Sequence, residues 1–214
     1  MSGYQVKFTT VAVGEHEYRI RSLLDRQQFW DPDGAAAARG IPEASWSYFG
    51  QLWSSGVLLA QHVAELPLAG QRILEIGCGL ALAGMEAHRR GADVTVSDIH
   101  PLCEPFLQEN LALNELPPLR YRELDWSRGH DSLGRFDLII GSDVLYEASQ
   151  PRELADFMDR HTEHPGRVII CDPGRPNRGR FDRLMSERGF SCTENRSLGN
   201  RHRLLCYERS SPPG

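Results

Sequence analysis

The chain has 214 residues, a length that fits one domain with a sizeable hydrophobic core. With 40% hydrophobic and 25% charged residues and no apolar run long enough to span a bilayer, its composition excludes an integral membrane protein. The net charge of -5 and the lack of a concentrated basic face argue against nucleic acid as the main partner.

The chain begins with MSGYQVKFTT, which lacks the cationic start, apolar stretch and cleavage site of a secretory signal. The five cysteines are scattered, and no Cys-x-x-Cys pair is present to hold zinc or a redox disulfide. We therefore expect a cytoplasmic protein with reduced thiols and no metal site.

The first 66 residues differ in pattern from the rest. They hold several aromatic residues but no regular alternation of strands and helices, so they are expected to form a cap on a core of residues 67–214, within one structural domain overall. Residues 31–34 read as a turn, residues 35–40 as an exposed, mobile connection, and a helix should run from Ser54 or Ser55 to Leu66.

From Arg72 onward, short β-rich runs alternate with stretches of helical length, the pattern of parallel βαβ units. Strands are predicted at residues 72–76, 93–97, 119–123, 137–141 and 168–171, and helices at residues 81–90, 102–113, 151–161 and 178–188. The last two strand-like runs, residues 190–195 and 203–208, are joined by a short loop and predict an antiparallel hairpin. The expected fold is α/β: a Rossmann-like seven-stranded sheet of five parallel strands plus the hairpin, with helices on both faces and an N-terminal cap.

A glycine loop follows the first predicted strand of the core, in Leu74-Glu75-Ile76-Gly77-Cys78-Gly79. The two glycines permit a tight turn that a small ligand can approach closely. The third glycine of a dinucleotide fingerprint is missing, and Glu75 suits a cationic aminoacid-sulfonium ligand better than pyrophosphate. A plain strand-turn-helix corner is the alternative interpretation.

Acidic and aromatic residues follow the next two strands. Asp98 stands nineteen residues after Gly79, at the end of the second strand, where a bidentate carboxylate would hold ribose hydroxyls. After the third strand, Asp125 and Trp126 could bind and stack on a purine. Trp126 could equally be a hydrophobic residue at the rim.

The fourth strand leads into Ser142-Asp143-Val144-Leu145-Tyr146. Strand ends near a switch point of an open α/β sheet carry reacting groups. Asp143 and Tyr146 are therefore candidates for aligning an amine that accepts a methyl group. The alternative is that Asp143 caps the helix beginning near Ser149 and that Tyr146 only packs.

These motifs, together with Leu52-Trp53-Ser54-Ser55-Gly56 and Asn110 and Asn114, resemble methyltransferase family 16, whose members use S-adenosylmethionine and mostly methylate lysines of particular non-histone proteins. Asp172-Pro173-Gly174-Arg175 is similar to the branch that methylates the β-subunit of electron-transfer flavoprotein. One departure is the run Leu-Ala-Leu-Ala-Gly after Gly79, where the family commonly has a Gly-Leu pair.

The resemblance implies a role for each matched position. Asp143 and Tyr146 would be catalytic and would bind the substrate together with Arg175. The cofactor would contact ten residues: Trp53, Glu75, Gly77, Cys78, Gly79, Asp98, Ile99, Asp125, Trp126 and Ser142.

Three other functions compete with protein-lysine methylation. Methylation of a planar amide or nucleobase nitrogen normally uses an Asn or Asp followed by Pro-Pro and an aromatic residue, and Val144 and Leu145 replace that rigid pair. A small-molecule amine could be the acceptor, or the chain could be a catalytically silent cofactor-binding or interaction module.

Overall fold

The computed structural model describes residues 3–128, 131–199 and 201–210. It begins with a two-stranded antiparallel hairpin, β1 (Val6–Val13) and β2 (His16–Leu23). The sequence analysis did not predict this hairpin. Alternate β2 residues, Tyr18, Ile20 and Ser22, are buried, so the period-two signal was present within one short strand.

The predicted connection after this hairpin contains a short helix, although Ala37, Ala38 and Gly40 are exposed as predicted. Residues Ala35–Ala38 form a short helix, α1, and Ala36 is only 1% exposed. The carboxylate of Asp31 accepts hydrogen bonds from the backbone N–H groups of Ala36 and Ala37, which anchors the start of this helix. A 3₁₀ helix (Glu43–Gly50) and helix α2 (Ser54–Glu65) follow, and α2 agrees with its prediction within one residue.

The main sheet has seven strands and confirms the predicted fold class. Its five parallel strands lie side by side, and the C-terminal hairpin adds to one edge in antiparallel orientation. In chain order the strands are β3 (Arg72–Ile76), β4 (Asp93–Asp98), β5 (Arg120–Glu123), β6 (Phe136–Ser142), β7 (Thr162–Asp172), β8 (Ser191–Leu198) and β9 (His202–Arg209). Their spatial order is β5-β4-β3-β6-β7-β9-β8.

The remaining helices are α3 (Leu82–Arg89), α4 (Cys103–Leu113), α5 (Gln150–His161) and α6 (Arg178–Glu187), with a 3₁₀ turn at Asp131–Leu133. Two hydrophobic clusters fill the space between sheet and helices, one with side chains of α2, α3 and α4 and one with those of α5 and α6. The largest difference in an element's bounds is at β7, which begins six residues earlier than predicted. Pro165 and Gly166 interrupt the strand signal there.

The sheet order determines where a ligand can bind. After β3 the chain goes to β4 and β5 on one side and then returns to β6 on the other side of β3. Such a switch point leaves a crevice beyond the carboxyl ends of the strands. Among the residues described, no helix is long and apolar enough to cross a membrane.

Candidate active site

A cavity of about 270 Å³ opens beyond the carboxyl ends of β3, β4 and β6. The 3₁₀ helix and the residues before it form the opposite wall, so the N-terminal segment closes the crevice. Every site residue predicted from the sequence lines this cavity, including Trp53 from the N-terminal segment and Arg175 from the loop after β7.

The glycine loop needs its small residues. Gly77 and Gly79 both have left-handed backbone conformations, with φ of 54° and 51°. A Cβ atom on Gly79 would lie 2.8 Å from the carbonyl oxygen of Phe49, so a side chain there would collide with the 3₁₀ helix. Ala81, two residues further, is also left-handed at φ 56°, which is unfavourable for a residue with a side chain.

Glu75 is buried beneath this loop. Its Oε2 accepts a hydrogen bond of 2.7 Å from the backbone N–H of Gly84, and a Cβ atom at Gly84 would lie 2.6 Å from that oxygen. The absence of a side chain at Gly84 therefore lets α3 pack closely against Glu75. Burial raises the pKa of Glu75 to about 8, so the carboxyl is largely protonated at neutral pH until a cation approaches it.

The Asp98 carboxylate joins the loop to the end of β4. Its Oδ2 accepts from the N–H of Gly79 at 3.0 Å and its Oδ1 from the N–H of His100 at 2.9 Å. Burial raises the pKa of Asp98, although these backbone hydrogen bonds act in the opposite direction. The carboxylate is thus held in one orientation, with Ile99 beside it on the cavity wall.

Trp126 lies against the glycine loop. A Cβ atom on Gly77 would be 3.2 Å from Cζ2 of the indole ring. The indole Nε1 is buried and has no hydrogen-bond partner among the residues that the structure describes. Asp125 holds the following turn, because its Oδ1 accepts from the backbone N–H and the hydroxyl of Ser127.

Asp143 forms an ion pair on the far side of the cavity. Both of its carboxylate oxygens accept from Arg175, at 2.7 Å from Nε and 2.9 Å from Nη2. The loop bearing Arg175 is itself held by buried Asp172, whose Oδ1 accepts from the N–H groups of Gly174 and Arg175. Helix α5 begins after Ser149 without a side-chain cap, so Asp143 is not the helix cap that the alternative interpretation required.

Tyr146 is partly exposed at the mouth of the cavity, with its ring centroid 6.4 Å from that of Tyr48. Burial of its hydroxyl raises the pKa of Tyr146 to about 12, and a hydrogen bond from the side chain of Gln150 acts against this shift. The phenol is therefore neutral at physiological pH.

Several residues of the site were not predicted from the sequence. Tyr48, Phe49, Gln150 and Arg39 all line the cavity. The aromatic run of the N-terminal segment contained the first two, but no pattern indicated which rings would face the crevice. Arg39 reaches the end of β5, where its Nε and Nη2 donate to the carboxylate of Glu123 at 2.9 and 2.7 Å.

Comparison with known proteins relates this geometry to an enzyme family. Residues 43–186 match the family model Methyltransf_16, described as lysine methyltransferase. The chain is 31% identical over 163 residues to the electron transfer flavoprotein beta subunit lysine methyltransferase of Xenopus laevis, covering 74% of this chain and 63% of that protein. It is 34% identical over 151 residues to the protein N-lysine methyltransferase METTL21A of Mus musculus, covering 67% and 69%.

The chain thus spans a little under two thirds of the Xenopus relative's length. Among solved structures, ribosomal protein L11 methylase from Lactobacillus delbrueckii subsp. bulgaricus has the same fold, with a TM-score of 0.66 and 18% identity over 97% of this chain and 100% of that one.

Proposed function

The chain belongs to the Methyltransf_16 family of lysine methyltransferases, and we propose that it uses S-adenosylmethionine to methylate a lysine of a protein, the β-subunit of electron-transfer flavoprotein being the first candidate. The observation that carries this proposal is the cavity itself. It joins a glycine loop with the buried Glu75 and the partly buried Asp98 at one end and the Asp143–Arg175 pair with Tyr146 at the exposed end.

The chemistry of the lining fits the cofactor. S-adenosylmethionine supplies a methyl group on a positively charged sulfur when bound, together with an amino acid, a ribose and an adenine. Glu75 and the loop of Gly77, Cys78 and Gly79 bind the charged methionine end. Asp98 with Ile99 binds the ribose.

The remaining predicted cofactor residues surround the adenine and the transfer position. Trp126 provides a flat apolar surface, and its buried indole N–H lacks a protein partner among the described residues. Asp125 lies beside it, and Trp53 and Ser142 complete the lining.

The acceptor amine approaches through the mouth. Methyl transfer needs a neutral nitrogen aligned with the departing sulfur, so positioning matters more than a strong base. Asp143 accepts a hydrogen bond from the amine and stabilises the cationic product, and Tyr146 contacts its other side. Arg175 keeps the Asp143 carboxylate oriented from outside.

A protein lysine fits this mouth better than a planar amide or a nucleobase. Val144 and Leu145 are buried after Asp143 and do not form the rigid Pro-Pro wall that holds a planar ring. The rings of Tyr48 and Tyr146 are 39% and 42% exposed, so a long side chain can enter from a partner surface. The two similar lysine methyltransferases support a protein acceptor.

The experiment separates cofactor binding from turnover. Asp143→Asn keeps the side-chain size and removes its charge, so the affinity for S-adenosylmethionine should persist while transfer of labelled methyl groups to purified electron-transfer flavoprotein falls by about a hundredfold. Tyr146→Phe should reduce turnover less, because the ring remains.

Loss of cofactor binding and turnover together in Asp143→Asn would place Asp143 in the cofactor shell and contradict its assignment to the acceptor. Cofactor binding without methyl transfer to any protein of a cell lysate would favour the catalytically silent alternative. Labelling of another protein would keep the reaction and change the substrate.

A further inference from the structure

Three aromatic side chains stand together at the mouth of the cavity. The ring centroids of Tyr48 and Trp53 are 5.7 Å apart with an angle of 84° between their planes, and those of Tyr48 and Tyr146 are 6.4 Å apart at 79°. We call Tyr48, Trp53 and Tyr146 the aromatic rim. Its adjacent rings are nearly perpendicular, like the walls of a corner.

Backbone contacts hold part of this arrangement in place. The indole N–H of Trp53 donates to the carbonyl oxygen of Tyr48 at 2.9 Å, which fixes the two residues to each other. The guanidinium of Arg26 lies 5.8 Å from the centroid of the Trp53 ring. Tyr48 and Tyr146, both more than a third exposed, are therefore the rings most open to a ligand.

The charged residues that line the cavity favour a cation, and Arg26, which lies against Trp53, is not among them. Glu147, which follows Tyr146 in the chain, and Glu153 both line the cavity. Of the lining residues that the structure describes, both arginines are already paired with carboxylates, Arg39 with Glu123 and Arg175 with Asp143. Burial lowers the pKa of His100 to about 3, so this histidine adds no positive charge.

Perpendicular aromatic rings beside carboxylates suit an alkylated ammonium group. Ring faces attract cations, and methyl groups on nitrogen reduce its hydration while leaving its charge. An unmodified ammonium is compact and strongly hydrated, so it gains less from the same contacts.

We propose that the aromatic rim is a binding site for a methylated ammonium group, and that it favours a lysine that already carries methyl groups over an unmodified one. The preference for a methylated lysine rests on the proposed function, whereas the binding of a methylated ammonium group does not. Tyr48 and Tyr146, the rim residues that are not assigned to the cofactor, thereby act on specificity.

The test compares choline with 3,3-dimethyl-1-butanol, which has the same shape and no charge. Each is titrated into the whole protein in the presence of S-adenosylhomocysteine, and NMR follows the Trp53 indole N–H, assigned through Trp53→Phe. We expect choline to bind about tenfold more tightly than its neutral analogue, which corresponds to about 1.4 kcal/mol of charge-dependent attraction.

Matched variants locate the site. Tyr48→Leu and Tyr146→Leu keep apolar bulk but remove a ring, and each should weaken choline binding several-fold. Tyr48→Phe and Tyr146→Phe keep the rings and should retain it. Thermal unfolding of all four variants verifies that each is folded.

Equal binding of the two probes, or choline binding that survives both leucine variants, would overturn the site. Preferential choline binding by a protein that methylates no lysine would support the site and remove the proposed function. Methyl transfer by a protein that does not prefer choline would support the proposed function and contradict the binding site.

Discussion

The Asp98 carboxylate connects the backbone of the glycine loop to the end of β4 at the cavity wall. Asp98 uses both oxygens to receive backbone N–H groups, one from the loop and one from its own strand end. Because these bonds already fix its orientation, the carboxylate is preorganised for the ribose hydroxyls that it is proposed to bind.

We expect Asp98→Ala to weaken binding of S-adenosylmethionine by about 2 to 3 kcal/mol, because two charge-assisted hydrogen bonds to the ribose are lost. Calorimetry measures this change, and NAD serves as a ligand that should not bind. Asp98→Asn, which keeps one oxygen for the loop, should lose less. Unchanged affinity in Asp98→Ala would locate the ribose elsewhere.

Glu75 gives the site a pH dependence. The pKa of Glu75 is raised by burial from 4.5 to about 8, so the folded protein keeps a proton that the unfolded chain releases. This group's contribution to the free energy of unfolding is therefore fully present below pH 4.5 and is lost as the pH rises through about 8.

A cationic ligand beside Glu75 favours its ionised form. We expect the affinity for S-adenosylmethionine to rise between pH 6 and pH 8, by at most about tenfold per pH unit, with release of a proton on binding. Calorimetry in buffers of different ionisation enthalpy measures both quantities.

Glu75→Gln is the matched control, because a carboxamide oxygen can still accept from Gly84. Its binding should be less dependent on pH, and its stability at pH 7 should be within about 1 kcal/mol of the parent, since the parent carboxyl is largely protonated there. An equally steep pH profile in Glu75→Gln would show that another group is responsible.

Among the elements, the segment that leads into the 3₁₀ helix closes the cavity. Its residues 39–42 line the wall, and left-handed glycines stand at Gly34 and Gly40. The pair between Arg39 and Glu123 fastens this segment to the end of β5, on the opposite side of the crevice.

Removing the Arg39–Glu123 ion pair should speed the release of the bound cofactor. The Arg39 and Glu123 side chains are 30% and 51% exposed, so their pair contributes at most about 1 kcal/mol. We expect Arg39→Ala to speed dissociation of S-adenosylhomocysteine about two- to fivefold in stopped-flow fluorescence. The exchange Arg39→Glu with Glu123→Arg should restore the slower rate, and its failure to do so would assign the effect to packing.

A second set of contacts ties the N-terminal hairpin to the core. The Asn114 side chain both accepts from the N–H and donates to the carbonyl of Arg19, and the Asn110 side chain does the same with Arg21. Asn110 lies on α4 and Asn114 follows the end of this helix, one turn later. They pair with alternate residues of β2, much as a neighbouring strand would.

At the scale of the whole molecule, the segment before residue 66 and the sheet share one hydrophobic cluster, which runs from Val13 through Leu59 to Leu204. We expect the two parts to unfold together, because neither buries its apolar face alone. Three of the four tryptophans precede residue 66, so thermal melting followed by tryptophan fluorescence and by far-UV circular dichroism should have one midpoint.

Asn110→Leu keeps the branching and the number of heavy atoms of the side chain and removes both hydrogen bonds to Arg21. It should lower the midpoint of the fluorescence transition more than the midpoint of the circular dichroism transition. Two separate midpoints in the parent protein would mean that residues 1–66 form an independent unit.

The amino-acid sequence by itself determined the sheet, the glycine loop and the set of residues that meet at its edge. Period-two and helical patterns are local, so they can be recognised in the sequence. Because parallel strands bring their carboxyl ends to one edge, Asp98, Trp126 and Asp143 could be assigned to one cavity from the sequence alone. The β1–β2 hairpin was missed because β1 is mostly exposed and has no apolar alternation.

Only the tertiary structure decided which side chains pair with each other. Arg175 reaches Asp143 from 32 residues away, Arg39 reaches Glu123 from 84, and the carbonyl of Phe49 closes over Gly79. The aromatic rim likewise joins residues from the N-terminal segment and the loop after β6. Such contacts depend on how elements that are distant in the sequence pack together. The period of a local pattern holds no information about that packing.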